Sequence, residues 1–293
     1  IRDYFFARNI LVYPSEQQAF TVLSHLAAFN ALRRGGLLVS EGRRIESTGE
    51  GRALVLDIVS QSSTTLLDEL QSKKVMKEYN IPVAEPALAQ SKEAAIAAAE
   101  KIGYPVVMKI VSSQITHKSD VGRVMVGLAD PKDVSRAYLA IIAAAEGKVP
   151  HAVIEGVSVQ KMAPPGLELV MGMRKDPQFG PVLMFGLGGT LVEVLRDVAF
   201  RIVPLSRRDA KTIVREIRGY RLLEGYRGQP AVDVENIEEL LLKASRMIEE
   251  NPEIKEMDIN PLIAYPNGAI ALNARIILED DAIRLVSINQ TVA

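Results

Sequence analysis

Pro105-Val106-Val107-Met108-Lys109-Ile110-Val111 is the stretch on which the fold turns. An unbroken apolar run of this length reads as a strand covered on both faces, because a strand with one wet face would alternate. A lysine inside such a run is costly unless an anion meets it. Two readings of Lys109 follow. Its stem lies along an edge with the ammonium in water, or its ammonium grips a phosphate.

Outward from that strand, helices and strands are mixed. On the N-terminal side a helix is expected over Ser91–Ile102, capped by Ser91 and stopped by Gly103. Ile81-Pro82-Val83 starts an extended piece. A helix over Leu66–Tyr79 precedes it, with Asn80 placed to cap its end. On the C-terminal side come a polar loop over 112–122, a strand over Val124–Leu128, a helix over Asp133–Ala145 and a strand over Val153–Gln160. Further strands are expected at Leu167–Met173, Val182–Phe185, Leu191–Leu195 and Phe200–Pro204. Helices over 207–217 and 236–250 follow, then extended pieces at Glu256–Asn260 and Ala269–Arg275. The absence of strict alternation favours α+β lobes over a doubly wound sheet.

Before this region, Ser15 is placed to cap a helix over Gln17–Leu32 whose Phe20, Leu23, Leu26 and Ala27 share a face. Residues 35–60 read as a connector. Glycines interrupt it, and Arg33, Arg34, Arg43, Arg44 and Arg52 make it locally basic. It is either a solvated linker or a docking surface for another domain.

The 293 residues suffice for one large domain or two medium ones. A net charge of -1, from 35 basic and 36 acidic residues, argues against a nucleic-acid face. The three histidines are scattered and no aromatic platform recurs, so base stacking has no support. No cysteine is present, which excludes disulfides, thiolate catalysis and Cys-ligated zinc and fits a reducing cytoplasm. No apolar run approaches the ~18 residues of a membrane span, and no signal peptide is visible. The chain opens at Ile1 with mid-protein sequence, as a fragment or processed piece would.

Several segments can carry chemistry. Ser112-Ser113-Gln114-Ile115-Thr116-His117-Lys118-Ser119-Asp120-Val121-Gly122 is a polar loop between two strands, and such loops fold N–H groups and hydroxyls over phosphates. His117 is either an ordinary loop histidine or a phosphoryl acceptor, since neutral imidazole is nucleophilic near pH 7. Lys118 would neutralise the product. Phe185-Gly186-Leu187-Gly188-Gly189-Thr190 is a Gly-rich turn, but no Gly-Lys-Ser/Thr follows, so it is not a P-loop. Glu193 alternates with apolar neighbours and is expected to face a cavity. Met257-Asp258-Ile259-Asn260-Pro261-Leu262 and Ala271-Leu272-Asn273-Ala274-Arg275 are apolar strands with isolated polar groups. Those groups are structural hydrogen-bonding residues, or oxygen ligands suited to Mg²⁺. Arg275 can stabilise charge on a transferring phosphoryl group.

Together these segments resemble one family. Lys73 to Val111 resembles the opening of an ATP-grasp fold of two α/β lobes. The run Ile115 to Gly122, the run Lys175-Asp176-Pro177-Gln178-Phe179-Gly180-Pro181 through Gly189, and Met257 to Leu262 narrow it. They resemble the ADP-forming acyl-CoA (acetyl-CoA) synthetases, relatives of succinyl-CoA synthetase. The likeness runs over residues 60–280.

The resemblance implies a nucleotide-binding domain over 61–293, a linker over 35–60, and in 1–34 a remnant of a CoA-ligase-like half. It implies acid + ATP + CoA giving acyl-CoA + ADP + phosphate through phosphohistidine, with ATP/ADP and Mg²⁺ as cofactors. Lys109 and Ser112 are placed at the phosphates, with Gly188, Gly189 and Glu193 also on the nucleotide. Gln160, Lys161 and Met162 fall on the hinge that meets adenine. Asn260 and Asn273 resemble the Mg²⁺ ligands, and His117 a second phosphate carrier. The implied partners are the CoA-binding, alpha-type half, a small carboxylic acid and CoA, with no nucleic acid and no membrane; a homo-oligomer is left open. A cytoplasmic location is implied. Asn273 stands where the family usually has Asp, and Arg123 where a second Gly usually follows Gly122. Two other readings remain: a catalytically weakened ATP-binding regulatory module, and another ATP-grasp carboxylate ligase.

Overall fold

The computed structural model describes residues 12–13, 15–34, 49–61, 64–112, 124–149, 153–189 and 196–280. They fall into two compact units, residues 1–45 and 46–293. In the first unit lies helix α1 (Glu16–Arg34), where Ser15 Oγ accepts from the Gln18 N–H at 3.3 Å. Phe20, Leu23 and Leu26 on α1 are exposed.

The second unit begins with α2 (Glu50–Gln61), β1 (Leu66–Leu67), α3 (Glu69–Glu78), β2 (Ala87–Ala89), α4 (Lys92–Ile102) and β3 (Val106–Val111). It continues through β4 (Met125–Leu128), α5 (Pro131–Lys148), β5 (Gly156–Lys161), β6 (Leu167–Asp176), β7 (Gly180–Leu187) and β8 (Val198–Ile202). It ends with α6 (Arg207–Glu216), α7 (Tyr220–Leu223), α8 (Val234–Glu250), β9 (Ile254–Tyr265), β10 (Gly268–Ala271) and β11 (Ala274–Leu278). Two antiparallel sheets result. The smaller has the order β2-β5-β3-β4. The larger has the order β1-β11-β9-β6-β7-β8, with β10 also on β9.

Each sheet has its own core. Ala95, Ala99, Val134, Ala137 and Ile141 of α4 and α5 pack on Val106, Met108, Ile110, Val157 and Val159 of the small sheet. The large sheet buries Leu169, Met171, Leu183, Phe185, Met257 and Ile259 in one cluster with Ile213, Leu240, Leu241 and Ala244 of α6 and α8. These are α+β lobes, as the unalternating element order implies.

The expected caps hold where their chemistry is local. Ser91 Oγ accepts from the Ala94 N–H, and Gly103 ends α4 at φ +83°. Asn80 takes φ +56°, a conformation asparagine tolerates. Differences arise where distant contacts decide. Residues 50–60, read as connector, lie in helix α2, and Val55, Ile58 and Val59 of α2 are buried in the large core. Its glycines misled the reading; Gly51 is needed because a Cβ there would run into the Tyr79 ring. The helix expected from Leu66 starts only at Glu69, since Leu66 and Leu67 pair with Ile277 and Ile276. Asp68 and Gln71 then form a capping box. The strand expected at Leu191–Leu195 lies outside the described residues. The piece expected over Ala269–Arg275 is two strands, broken at Leu272-Asn273.

Candidate functional site

Strand β3 divides its side chains between two environments. Val106, Met108 and Ile110 enter the small-lobe core, while Val107, Lys109 and Val111 line a cavity of about 720 Å³ between the sheets. That alternation explains why the run is apolar throughout: both faces are covered. Strand β5 repeats the division, with Val157 and Val159 in the core and Gln160 at the cavity. The facing wall comes from the large sheet and includes Glu168, Asn260, Ile263, Leu272, Asn273 and Arg275. The volume suits a small organic ligand, and the walls combine apolar side chains with a few convergent polar groups.

The polar end centres on Glu69. Its Oε1 accepts from Lys73 Nζ at 2.8 Å and from Lys109 Nζ at 3.0 Å. Lys73 Nζ also donates to Gln160 Oε1 at 2.9 Å, and Lys109 Nζ to the Leu272 carbonyl at 3.2 Å. All four side chains are buried, Lys73 and Gln160 to within 2% of complete. Lys109 therefore does not reach water along an edge. It points into the cleft and touches both walls. Two ammoniums around one carboxylate leave the three side chains with a net charge of +1, which suits an anionic ligand. Sequence reasoning missed Glu69, Lys73 and Glu168. The Glu69–Lys73 spacing of i, i+4 was visible, but surface helices carry such pairs routinely.

A second polar group lies on the large sheet. Ala274 pairs with Ile259 and Ala271 with Leu262. The same register carried through the break, where the Leu272 N–H meets the Pro261 carbonyl, sets Asn273 across from Asn260. Two pairs along, Arg275 stands opposite Asp258. Residues 258 and 260 share a face, as do 273 and 275, so the four form a polar block. Burial pushes the Asp258 carboxyl above its ordinary range, and Arg275 acts against that shift. Among the described residues no three His, Cys, Asp or Glu side chains cluster as a metal cage. Asn260 and Asn273 both line the cavity, and a pair of amide groups on neighbouring strands suits Mg²⁺, which takes few protein ligands.

The other expected site residues are placed as follows. Ser112 lines the cavity and donates from Oγ to the Val153 carbonyl at 2.8 Å. Met162 lines it too, while its N–H is committed to the Pro105 carbonyl at 3.1 Å. Lys161 turns its side chain away; Nζ donates to the Gly103 and Tyr104 carbonyls at 2.8 Å each and so closes the end of α4. Gly188 and Gly189 do not line the cavity. They support it from behind, the Gly188 N–H bonding the Glu168 carbonyl at 2.8 Å. A Cβ on Gly189 would meet the Glu168 carboxylate. His117, Lys118, Arg123 and Glu193 lie outside the described residues. The described residues flanking that loop, Ser112 and Val124, both line the cavity. No helix among the described residues is long and apolar enough to cross a membrane.

Comparison with known proteins follows the same lines. The ATP-grasp domain family matches residues 58–278. The beta subunit of the ADP-forming acetate–CoA ligase I of Pyrococcus furiosus is 45% identical over 212 residues, 72% of this chain and 91% of that one. The ADP-forming acetate–CoA ligase I of Archaeoglobus fulgidus is 45% identical over 207 residues, 71% of this chain but only 30% of that longer protein. Acetyl-coenzyme A synthetase 1 of Ca. Korarchaeum cryptofilum, solved with coenzyme A and Ca-AMPCP, superimposes with a TM-score of 0.75. It is 48% identical, over 78% of this chain and 100% of that chain. A second structure of that protein holds Mg-AMPPCP, with a phosphohistidine segment pointing towards the nucleotide site; its TM-score is 0.68 at 45% identity, over the same shares.

Proposed function

The chain belongs to the ATP-grasp family, among the beta-type parts of the ADP-forming acetate–CoA ligases, and from this we propose that it holds Mg-ATP in the cavity between its sheets and passes a phosphoryl group. The overall reaction is acid + ATP + CoA ⇌ acyl-CoA + ADP + phosphate. It is completed by a CoA-binding, alpha-type partner half, with a small carboxylic acid and CoA as the other substrates. The observation that carries the reading is the meeting of Lys109 and the Asn260–Asn273 pair on opposite walls of one cavity.

Each wall has a task. Val107, Val111, Met162 and Ile263 give the apolar surface on which a purine is stripped of water. Lys109 supplies a donor and the excess positive charge where the triphosphate ends. Mg²⁺, which Asn260 and Asn273 would hold, would supply positive charge against the charge that develops during transfer. Asn260 and Asn273 offer oxygens from one wall, and Arg275 stands beside them to stabilise the migrating group. His117 takes the phosphoryl group on a ring nitrogen, on a loop whose described flanks lie at the cavity. The chain thus contributes positioning and electrostatics, the two largest sources of rate in phosphoryl transfer.

Isothermal calorimetry with Mg-ATP tests the binding step, with an expected Kd in the micromolar range. Incubation with Mg-ATP and the partner half should leave acid-labile phosphate on His117, read by mass spectrometry. Binding without that phosphate would favour another ATP-grasp carboxylate ligase, in which His117 is incidental.

A second reading, of a weakened module that binds nucleotide and turns over slowly, is favoured by the amide-only Asn260–Asn273 pair. Asn273→Asp adds a negative charge to that pair. On this reading it should lower the Mg²⁺ concentration for half-maximal phosphorylation about tenfold and raise the rate. An unchanged rate would retire the weakened-module reading.

A further inference from the structure

We propose that Lys73 is a positioning residue for the phosphate end of this cavity: it sets the charge and orientation of a wall that it does not itself line. The inference rests on the nucleotide-binding reading above and adds the residue that tunes it.

Glu69, Lys109 and Gln160 all line the cavity, whereas Lys73 does not. Lys73 lies behind them on α3, 2% exposed, with its ammonium against Glu69 Oε1 at 2.8 Å and Gln160 Oε1 at 2.9 Å. A helix position facing a core is ordinarily filled by an apolar side chain, since a buried ammonium is costly. Here one ammonium grips two of the cavity's wall residues at once.

Two consequences follow from its chemistry. An ammonium only donates, so the oxygen of the Gln160 amide must face Lys73, and the amide nitrogen is turned the other way as a donor. The Glu69 carboxylate also stands between two ammoniums, Lys73 and Lys109. With Lys73 in place the three side chains sum to +1; with a neutral residue at 73 they sum to zero. The Lys109 and Glu69 charges would then cancel, and this end of the cavity would offer an entering polyanion no net positive charge from the cluster.

The test is the affinity of the full chain for Mg-ADP by calorimetry, with a thermal midpoint for every variant. Lys73→Met should weaken binding about tenfold or more. Adding Glu69→Gln restores the sum to +1, so Lys73→Met/Glu69→Gln should return to within about threefold of the parent. Glu69→Gln alone brings the sum to +2 and should bind at least as tightly as the parent. A purely structural role predicts lowered midpoints with equal affinities throughout, and that result overturns the proposal. So does a double variant as weak as the single. Should Lys73→Met not fold, the order of the other two decides: Glu69→Gln tighter than the double variant supports the proposal, equality overturns it. Lys109→Met separates the two levels. If it binds Mg-ADP as tightly as the parent does, Lys109 is not at the phosphates and this inference falls with that assignment; if the parent itself binds no Mg-ADP, the nucleotide reading falls. If it is weak while the Lys73 variants are unaffected, only this inference falls.

Discussion

Lys109→Met is expected to weaken Mg-ATP binding about a hundredfold while leaving the chain folded. Methionine keeps most of the length of the side chain, so Val107 and Val111 beside it keep their places on β3. What is lost is the ammonium that touches Glu69 at 3.0 Å and the Leu272 carbonyl at 3.2 Å. Glu69 still has Lys73 at 2.8 Å, so the buried carboxylate is not abandoned and the stability cost stays moderate. The phosphate chain, in contrast, loses charge-assisted hydrogen bonds of about 1.5–3 kcal/mol each, in a cleft sheltered from water. Calorimetry with Mg-ATP, beside thermal unfolding of the same samples, separates the two effects. Parental affinity in a folded Lys109→Met chain would remove the lysine from the phosphate site.

The largest stability effect is expected from Gly188→Ala. A Cβ at residue 188 would lie 2.7 Å from the carbonyl carbon and oxygen of Leu169 and 3.0 Å from its nitrogen. Those are backbone atoms of β6, a strand held on both sides by β7 and β9, so no flexible side chain can yield. The strand or the Gly-rich turn must move, and overpacking of this kind costs about 3 kcal/mol. The urea midpoint should fall accordingly, with an unchanged slope if the native fold persists. A second effect follows at the cavity. The Gly188 N–H holds the Glu168 carbonyl at 2.8 Å, and Glu168 is a wall residue, so nucleotide affinity should fall too. A midpoint within experimental error of the parent would show that the turn accommodates a methyl group and would remove close approach as the reason for glycine there.

Much of this was legible because its causes are short-range. The β3 run announced a strand covered on both faces, Ser91 and Gly103 bracketed α4, and Asn80 marked the end of α3. Lys109, Asn260, Asn273 and Arg275 were each marked as polar residues in apolar strands, and one cavity gathers all four. What escaped is what only the tertiary fold decides. Lys73 looks like any helical lysine until the fold brings the Gln160 amide to it from 87 residues away. The connector reading failed over 50–60 for the same reason: its glycines suggested a loop, and the burial of Val55, Ile58 and Val59 outweighed that preference. The resemblance places Lys161 on the hinge segment with Gln160 and Met162, which leaves open where its side chain goes. The alternation of β5 sends neighbours to opposite faces, and the Lys161 ammonium finds carbonyls at the end of α4.

In the small lobe a single peptide layer separates packing from recognition. Val106, Met108 and Ile110 hang from the same backbone as Val107, Lys109 and Val111. Any enlargement beneath the layer is transmitted through its thickness to the residues above it, so neither side can drift independently over evolutionary time. New ligand preferences are therefore more easily acquired from the opposite wall, on the longer strands of the large sheet, than from this one.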